Sequence, residues 1–140
     1  MIEMNRSIPQ RETEDLEEIT IGAARFLFEH KAEDILVLRV QELLQICSYF
    51  ILASGRSSRQ VRTLGDSVER YLKPFHLPRI GAHGRDDCRW YCIDHGEIVL
   101  HIFDEEARRF YDLENLWSRA PRVEVDFRIP AVSSEAEEAS

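Results

Sequence analysis

The stretch Arg89–Phe103, Arg-Trp-Tyr-Cys-Ile-Asp-His-Gly-Glu-Ile-Val-Leu-His-Ile-Phe, constrains the fold more than any other part of the chain. Two runs rich in aromatic and β-branched residues flank Asp94-His95-Gly96, a short loop whose glycine accepts positive φ; the pattern predicts a β-hairpin. Ile98, Leu100 and Ile102 fall on one face of the second strand, Val99 and Phe103 on the other. Half-buried strands alternate apolar with polar residues, so a strand apolar on both faces predicts a hairpin covered on both sides. His101 interrupts this run. Its ordinary role is a histidine hydrogen-bonded at a sheet surface or in a core, with a functional role as the alternative.

Around this hairpin the periodicities alternate. Leu16, Ile19, Ala23 and Phe26 or Leu27 recur at helical spacing behind Glu12, Glu14, Asp15, Glu17 and Glu18, whose charges suit a helix N-terminus. A helix is expected over 13–30, and residues 1–12, with Pro9, are expected as a flexible arm. The apolar runs Asp34–Val40 and Ser48–Ser54 are too short for helices and rich in β-formers, and so predict two strands joined by a connection. The second ends at Gly55-Arg56-Ser57-Ser58-Arg59-Gln60, where Ser57 and Gln60 fit a capping box. The helix that follows buries Val61, Leu64, Val68, Tyr71 and Leu72, and Pro74 stops it. Residues 75–88 are turn-rich, with a short extended piece at 78–82.

Beyond the hairpin, Asp104–Arg109 reads as a helical turn with acids first and bases last, and Phe110–Trp117 as a short helix capped by Asp112. Arg122–Ile129 alternates strictly, which predicts an edge strand or a segment that pairs with a second copy in a homodimer. The acidic, small-residue tail 131–140 is expected to be disordered. The organisation is therefore a domain over 13–119 between an arm and a C-terminal extension, 120–140.

Composition narrows the function. No apolar run approaches the roughly 20 residues of a membrane span, and the N-terminus resembles no leader, so a cytoplasmic protein is expected. A net charge of −8 repels phosphates, which argues against DNA or general RNA binding and favours a basic partner. Three cysteines form no disulfide framework.

The residues offer four candidate chemistries. The Gly55–Ser58 loop ahead of a helix has the layout of a phosphate cradle, so a nucleotidyltransferase-like enzyme or nucleotide-binding domain is the alternative reading. That reading lacks the carboxylate pair needed for two metals: Asp94 stands alone, Asp86 and Asp87 diverge, and Asp104 and Glu106 start a helix. His83, Cys88, Cys92, His95 and His101 do not complete a zinc set, so no metal or other cofactor is expected. No cysteine or serine has an obvious base. Arg56, Arg59 and Arg62 could hold a phosphate, but the overall field opposes RNA. What remains is binding: Trp90, Tyr91, Tyr111 and Trp117 are either core residues or interface anchors, and with Asp94, Glu97, Asp112 and Glu114 around them an aromatic patch would suit a basic protein surface.

Three blocks, Ser48–Gln60, Trp90–Phe103 and Glu105–Trp117, together resemble the ribosomal silencing factor family, also called Iojap-like proteins, across roughly 15–118. The resemblance implies an α/β (α+β) single domain, a mixed sheet flanked by helices and related to the nucleotidyltransferase fold, without catalysis. It implies binding to the large ribosomal subunit through its protein numbered fourteen, which blocks small-subunit joining under nutrient limitation. Matched positions are Trp90, Asp94, Gly96, His101, Tyr111, Leu113 and Trp117, of which Gly96, Leu113 and Trp117 suit architecture. The expected partner-binding residues are Trp90, Asp94, Glu97, His101 and Tyr111. Ser48 and Glu97 stand where the family carries Asp; the first departure argues further against metal chemistry, and the second keeps the charge.

Overall fold

The two strands expected to be apolar on both faces, β2 (Tyr49–Gly55) and β5 (Ile98–Asp104), lie side by side at the centre of a five-stranded sheet. The computed structural model describes residues 2–132, with side chains described from 16 onward. β2 and β5 run parallel, with Tyr49 opposite Ile98 and Gly55 opposite Asp104. β1 (Glu33–Arg39) pairs antiparallel with β2, β4 (Trp90–Asp94) antiparallel with β5, and β3 (Gly81–His83) closes the far edge, giving the order β1-β2-β5-β4-β3. Every residue of β2 is buried, as are Ile98, Leu100, Ile102 and Phe103. The expected α+β fold, a mixed sheet flanked by helices, is the one observed.

Helices close both faces. α1 (Ile2–Glu29) and α2 (Ser58–Leu72) cover the side bearing Tyr49, Ile51, Ala53, Tyr91, Ile93 and Leu100. On the other side, α3 (Glu105–Tyr111), α4 (Leu113–Leu116) and the chain after it bring Ala107, Leu113 and Ala120 onto Leu38, Phe50, Leu52 and Phe103. Arg108 ties this layer down. Almost fully buried, it donates to Ser54 Oγ at 2.8 Å and pairs with Glu114 at 3.2 Å.

The α2 cap forms much as its residues dictate. Ser57 is extended and its hydroxyl accepts from Gln60 N–H at 3.1 Å, while the Gln60 amide oxygen reaches back to Arg56 N–H at 2.6 Å. The expected stripe, Val61, Leu64, Val68, Tyr71 and Leu72, is buried. Gly65 completes it: a Cβ there would run into the Tyr91 ring, so glycine lets α2 lie close on β4. In the hairpin turn Gly96 adopts φ +84°, and His95, buried, donates Nδ1–H to Leu77 carbonyl at 2.7 Å, pegging the turn to the preceding loop.

Three local expectations differ. α1 begins at Ile2 and runs through the span expected as an arm, because one proline weakens a helix without forbidding it. Asp112 does not cap α4 with its side chain; it sits left-handed at φ 48° and its backbone N–H closes α3 on Arg108 carbonyl at 2.9 Å. The alternating segment 122–129 makes one bridge, Leu38 with Arg122, rather than an edge strand. It then leaves the edge as a strap: Arg25 Nε donates to Asp126 carbonyl at 3.1 Å and Phe127 stacks on Phe28 at 5.0 Å. Its alternation is satisfied by Val123, Val125 and Phe127 packing on the core, and a turn at Asp126–Arg128 ends its extension. Most of the acidic tail, 133–140, lies outside the described residues.

Two stability measurements follow. Gly65→Ala gains about 1 kcal/mol of helix propensity but overpacks the Tyr91 ring at about 1–3 kcal/mol, so the midpoint of chemical denaturation falls. Asp66 accepts from the Tyr91 hydroxyl at 2.8 Å and pairs with Arg85 at 2.6 Å. The Arg85 hydrogen bonds, and then that from Tyr91, hold its carboxyl below the ordinary value against some desolvation. Asp66→Ala orphans the buried tyrosine hydroxyl and costs about 1–3 kcal/mol at pH 7. A depressed folded-state pKa stabilises above the unfolded value and is lost as pH falls through the folded one. The stability gap between wild type and variant therefore narrows below about pH 4.

Candidate partner-binding face

β4 and β5 place Trp90 and His101 on the sheet face that α3 only partly covers. Trp90 pairs in register with Phe103, and Cys92 with His101, so Trp90, Cys92, His101 and Phe103 share one face. The Trp90 indole N–H donates to His101 Nδ1 at 3.1 Å. That nitrogen must accept, so the neutral ring carries its proton on Nε2. His101 is only 6% exposed, and burial pushes its pKa down to about 4, which keeps it neutral near pH 7. Phe50 meets it edge-on at 4.7 Å. The ordinary reading of this histidine holds: it is a hydrogen-bonded core residue that backs the Trp90 ring.

Tyr111, at the end of α3, lies against Trp90 with ring centroids 4.6 Å apart and is 49% exposed. Phe110 beside it meets Tyr111 edge-on at 5.0 Å and is 79% exposed. Trp90, Tyr111 and Phe110 thus form an outward aromatic ledge over His101 and Phe103. Phe110 is not among the residues expected at the site. The signal is the short helix: neighbouring helical residues point about 100° apart, so Phe110 and Tyr111 at its end do not both face the sheet squarely.

The two acids of the expected site lie at the opposite end of the same hairpin. Asp94 is four residues along β4 from Trp90, a rise of about 13 Å. Its carboxylate accepts from Gly96 N–H at 2.7 Å and shapes the turn. Glu97, exposed, accepts from the Ser48 hydroxyl at 2.6 Å. The structure therefore brings Trp90, His101 and Tyr111 together and holds Asp94 and Glu97 apart from them, with half-buried Cys92 and Val99 between. Glu114, paired with Arg108, and exposed Asp112 supply negative charge nearer the ledge.

Several of the other candidate groups have local partners. Arg56 pairs with Glu33 at 2.6 Å, and Arg62 donates to the carbonyls of Arg85 and Asp86. Cys88 is buried and donates to Arg85 carbonyl, while burial first and Asp94 second push the Cys92 thiol up to about 11. Among the described residues no three of His, Cys, Asp and Glu converge as a metal set, and no helix is long and apolar enough to cross a membrane.

Residues 13–140 match the family described as ribosomal silencing factor during starvation. The ribosomal silencing factor of Bacillus subtilis is 31% identical over 105 residues, 75% of this chain and 89% of the relative. That of Chromobacterium violaceum is 33% identical over 103 residues, 74% of this chain and 84% of the relative. A crystal structure of a Chromobacterium violaceum protein superposes with a TM-score of 0.70 at 31% identity, covering 83% of this chain and 94% of that one. With both its fold and most of its length shared, the chain belongs to the ribosomal silencing factor family.

Proposed function

We propose that this protein represses translation by binding the large ribosomal subunit through its protein numbered fourteen and occupying the surface on which the small subunit docks. The observation that carries the proposal is the aromatic ledge of Trp90 and Tyr111, backed by neutral, buried His101, on a domain of net charge −8. Rings held by a packed floor bind with little loss of side-chain freedom, and such anchors dominate interface energies. The surrounding field favours a basic protein surface and steers the encounter. Asp94 and Glu97 would meet a second basic contact at the far end of the hairpin, making the footprint elongated.

The mechanism is occlusion. A chain of this length has a radius near 15 Å, enough to hold two subunit surfaces apart. Its own residues need only bind and fill space, so the protein is not an enzyme in this reading and uses no cofactor. Repression in the cytoplasm under nutrient limitation completes the proposal.

Co-sedimentation with isolated large subunits tests it: the protein pellets with them at low salt, and excess protein suppresses subunit joining. Normal joining with the protein in excess would refute the mechanism. Tyr111→Ala, at a half-exposed position, weakens the complex by about 10–100-fold with the thermal midpoint little changed. Glu97→Lys slows association and reduces its salt dependence. Because His101 titrates only near pH 4, it contributes no pH dependence to affinity between pH 6 and 8. A binding titration at several pH values in that range, made on Tyr111→Ala and wild type in parallel, checks this.

A further inference from the structure

A concavity lies away from the aromatic ledge, where the end of α1, the start of β1, the first turn of α2 and the C-terminal strap meet. It has a volume of about 640 Å³, within the roughly 300–1,000 Å³ of small-molecule sites. Gly55 and Asp104 end the parallel strands β2 and β5 in register, and Arg56 of the wall follows directly on Gly55.

Its lining is unlike the rest of this acidic chain. Phe28 and Phe127 stack at 5.0 Å and, with Pro130, make an apolar shelf. Lys31, Arg56 and Arg128 stand against two carboxylates, Glu29 and Glu33. Both acids are engaged: Glu29 accepts from Ala131 N–H at 2.8 Å, and Glu33 pairs with Arg56 at 2.6 Å. Arg128 pairs with Asp126 at 2.9 Å. Exposed Lys31 makes no ion pair among the described residues, so its ammonium is the cation left to meet an incoming anion. Gln60 bridges the two walls, donating to Lys31 carbonyl at 3.2 Å, and so holds Lys31 beside the α2 start.

We infer that this cleft binds a nucleoside monophosphate, its base laid on the Phe28–Phe127 shelf and its phosphate on Lys31 with Arg56 beside it. A flat apolar body and a single compact anion match the two halves of the lining, and a larger polyphosphate would meet Glu29 and Glu33. No reaction is implied. The inference is independent of the ribosome proposal, since it uses none of the ledge residues, and either can fail alone.

Titration of the full chain with adenosine 5′-monophosphate, adenosine and inorganic phosphate, followed by backbone amide NMR shifts, tests it. The monophosphate shifts amides in 28–33, 56–60 and 127–130, and binds at least about tenfold tighter than adenosine or phosphate alone. Lys31→Glu weakens it by at least about fivefold and Lys31→Arg restores it; Phe28→Ala, at an exposed position, weakens it comparably. Absence of shifts at millimolar monophosphate overturns the inference. So do shifts centred on Trp90 and Tyr111, or phosphate binding as tightly as the nucleotide, which would leave the shelf without a role.

Discussion

Parallel pairing of β2 with β5 is unusual in demanding shelter on both faces, since neither strand carries enough polar side chains to face water. The helices answer that demand. α1 and α2 close one side, with Gly65 letting α2 approach Tyr91, and α3, α4 and the chain beyond them close the other through Ala107, Leu113 and Ala120. Because parallel strands cannot be joined by a tight turn, the chain between them is long enough to carry α2, β3 and β4. The hairpin partner β4 is thereby placed beside β5, and with it Trp90.

The candidate face is a consequence of incomplete cover. Helix α3 shelters Phe103 and then stops at Tyr111, where Asp112 turns left-handed and the chain departs. Trp90 is left half open, resting on Phe103 and His101 and leaned on by Tyr111. His101 holds the Trp90 ring from below. Its neutrality lets Nδ1 accept the indole proton, so burial fixes the orientation of a ring whose outer edge stays free. A charged histidine would have no acceptor to offer.

Charge is distributed with similar economy. Many of the arginines whose side-chain bonds are described pair locally: Arg39 with Glu17, Arg56 with Glu33, Arg85 with Asp66 and Arg89 with Glu106. Exposed pairs of this kind add little stability, but they neutralise the cations and leave the acidic excess to set the field. For a member of the silencing factor family that field favours a basic partner and disfavours bare nucleic acid.

Local chemistry was enough to determine the elements that satisfy themselves locally. The Asp94–Gly96 turn, the Ser57 cap, the buried stripe of α2 and the strands apolar on both faces are legible because each rests on residues within one turn or one strand repeat. Strict alternation at 122–129 marks Val123, Val125 and Phe127 as the side chains that pack inward, but not Ile129, which is exposed, nor what they pack against. Tertiary structure alone decided that this segment would cross α1 as a strap, since only the packed position of Arg25, Phe28 and Glu29 offers it partners. It decided too that Asp94 and Glu97 would stand a strand length from Trp90 while Tyr111, distant in sequence, would touch it. Those distances depend on how strands pair across the sheet, and no local pattern of residues encodes that.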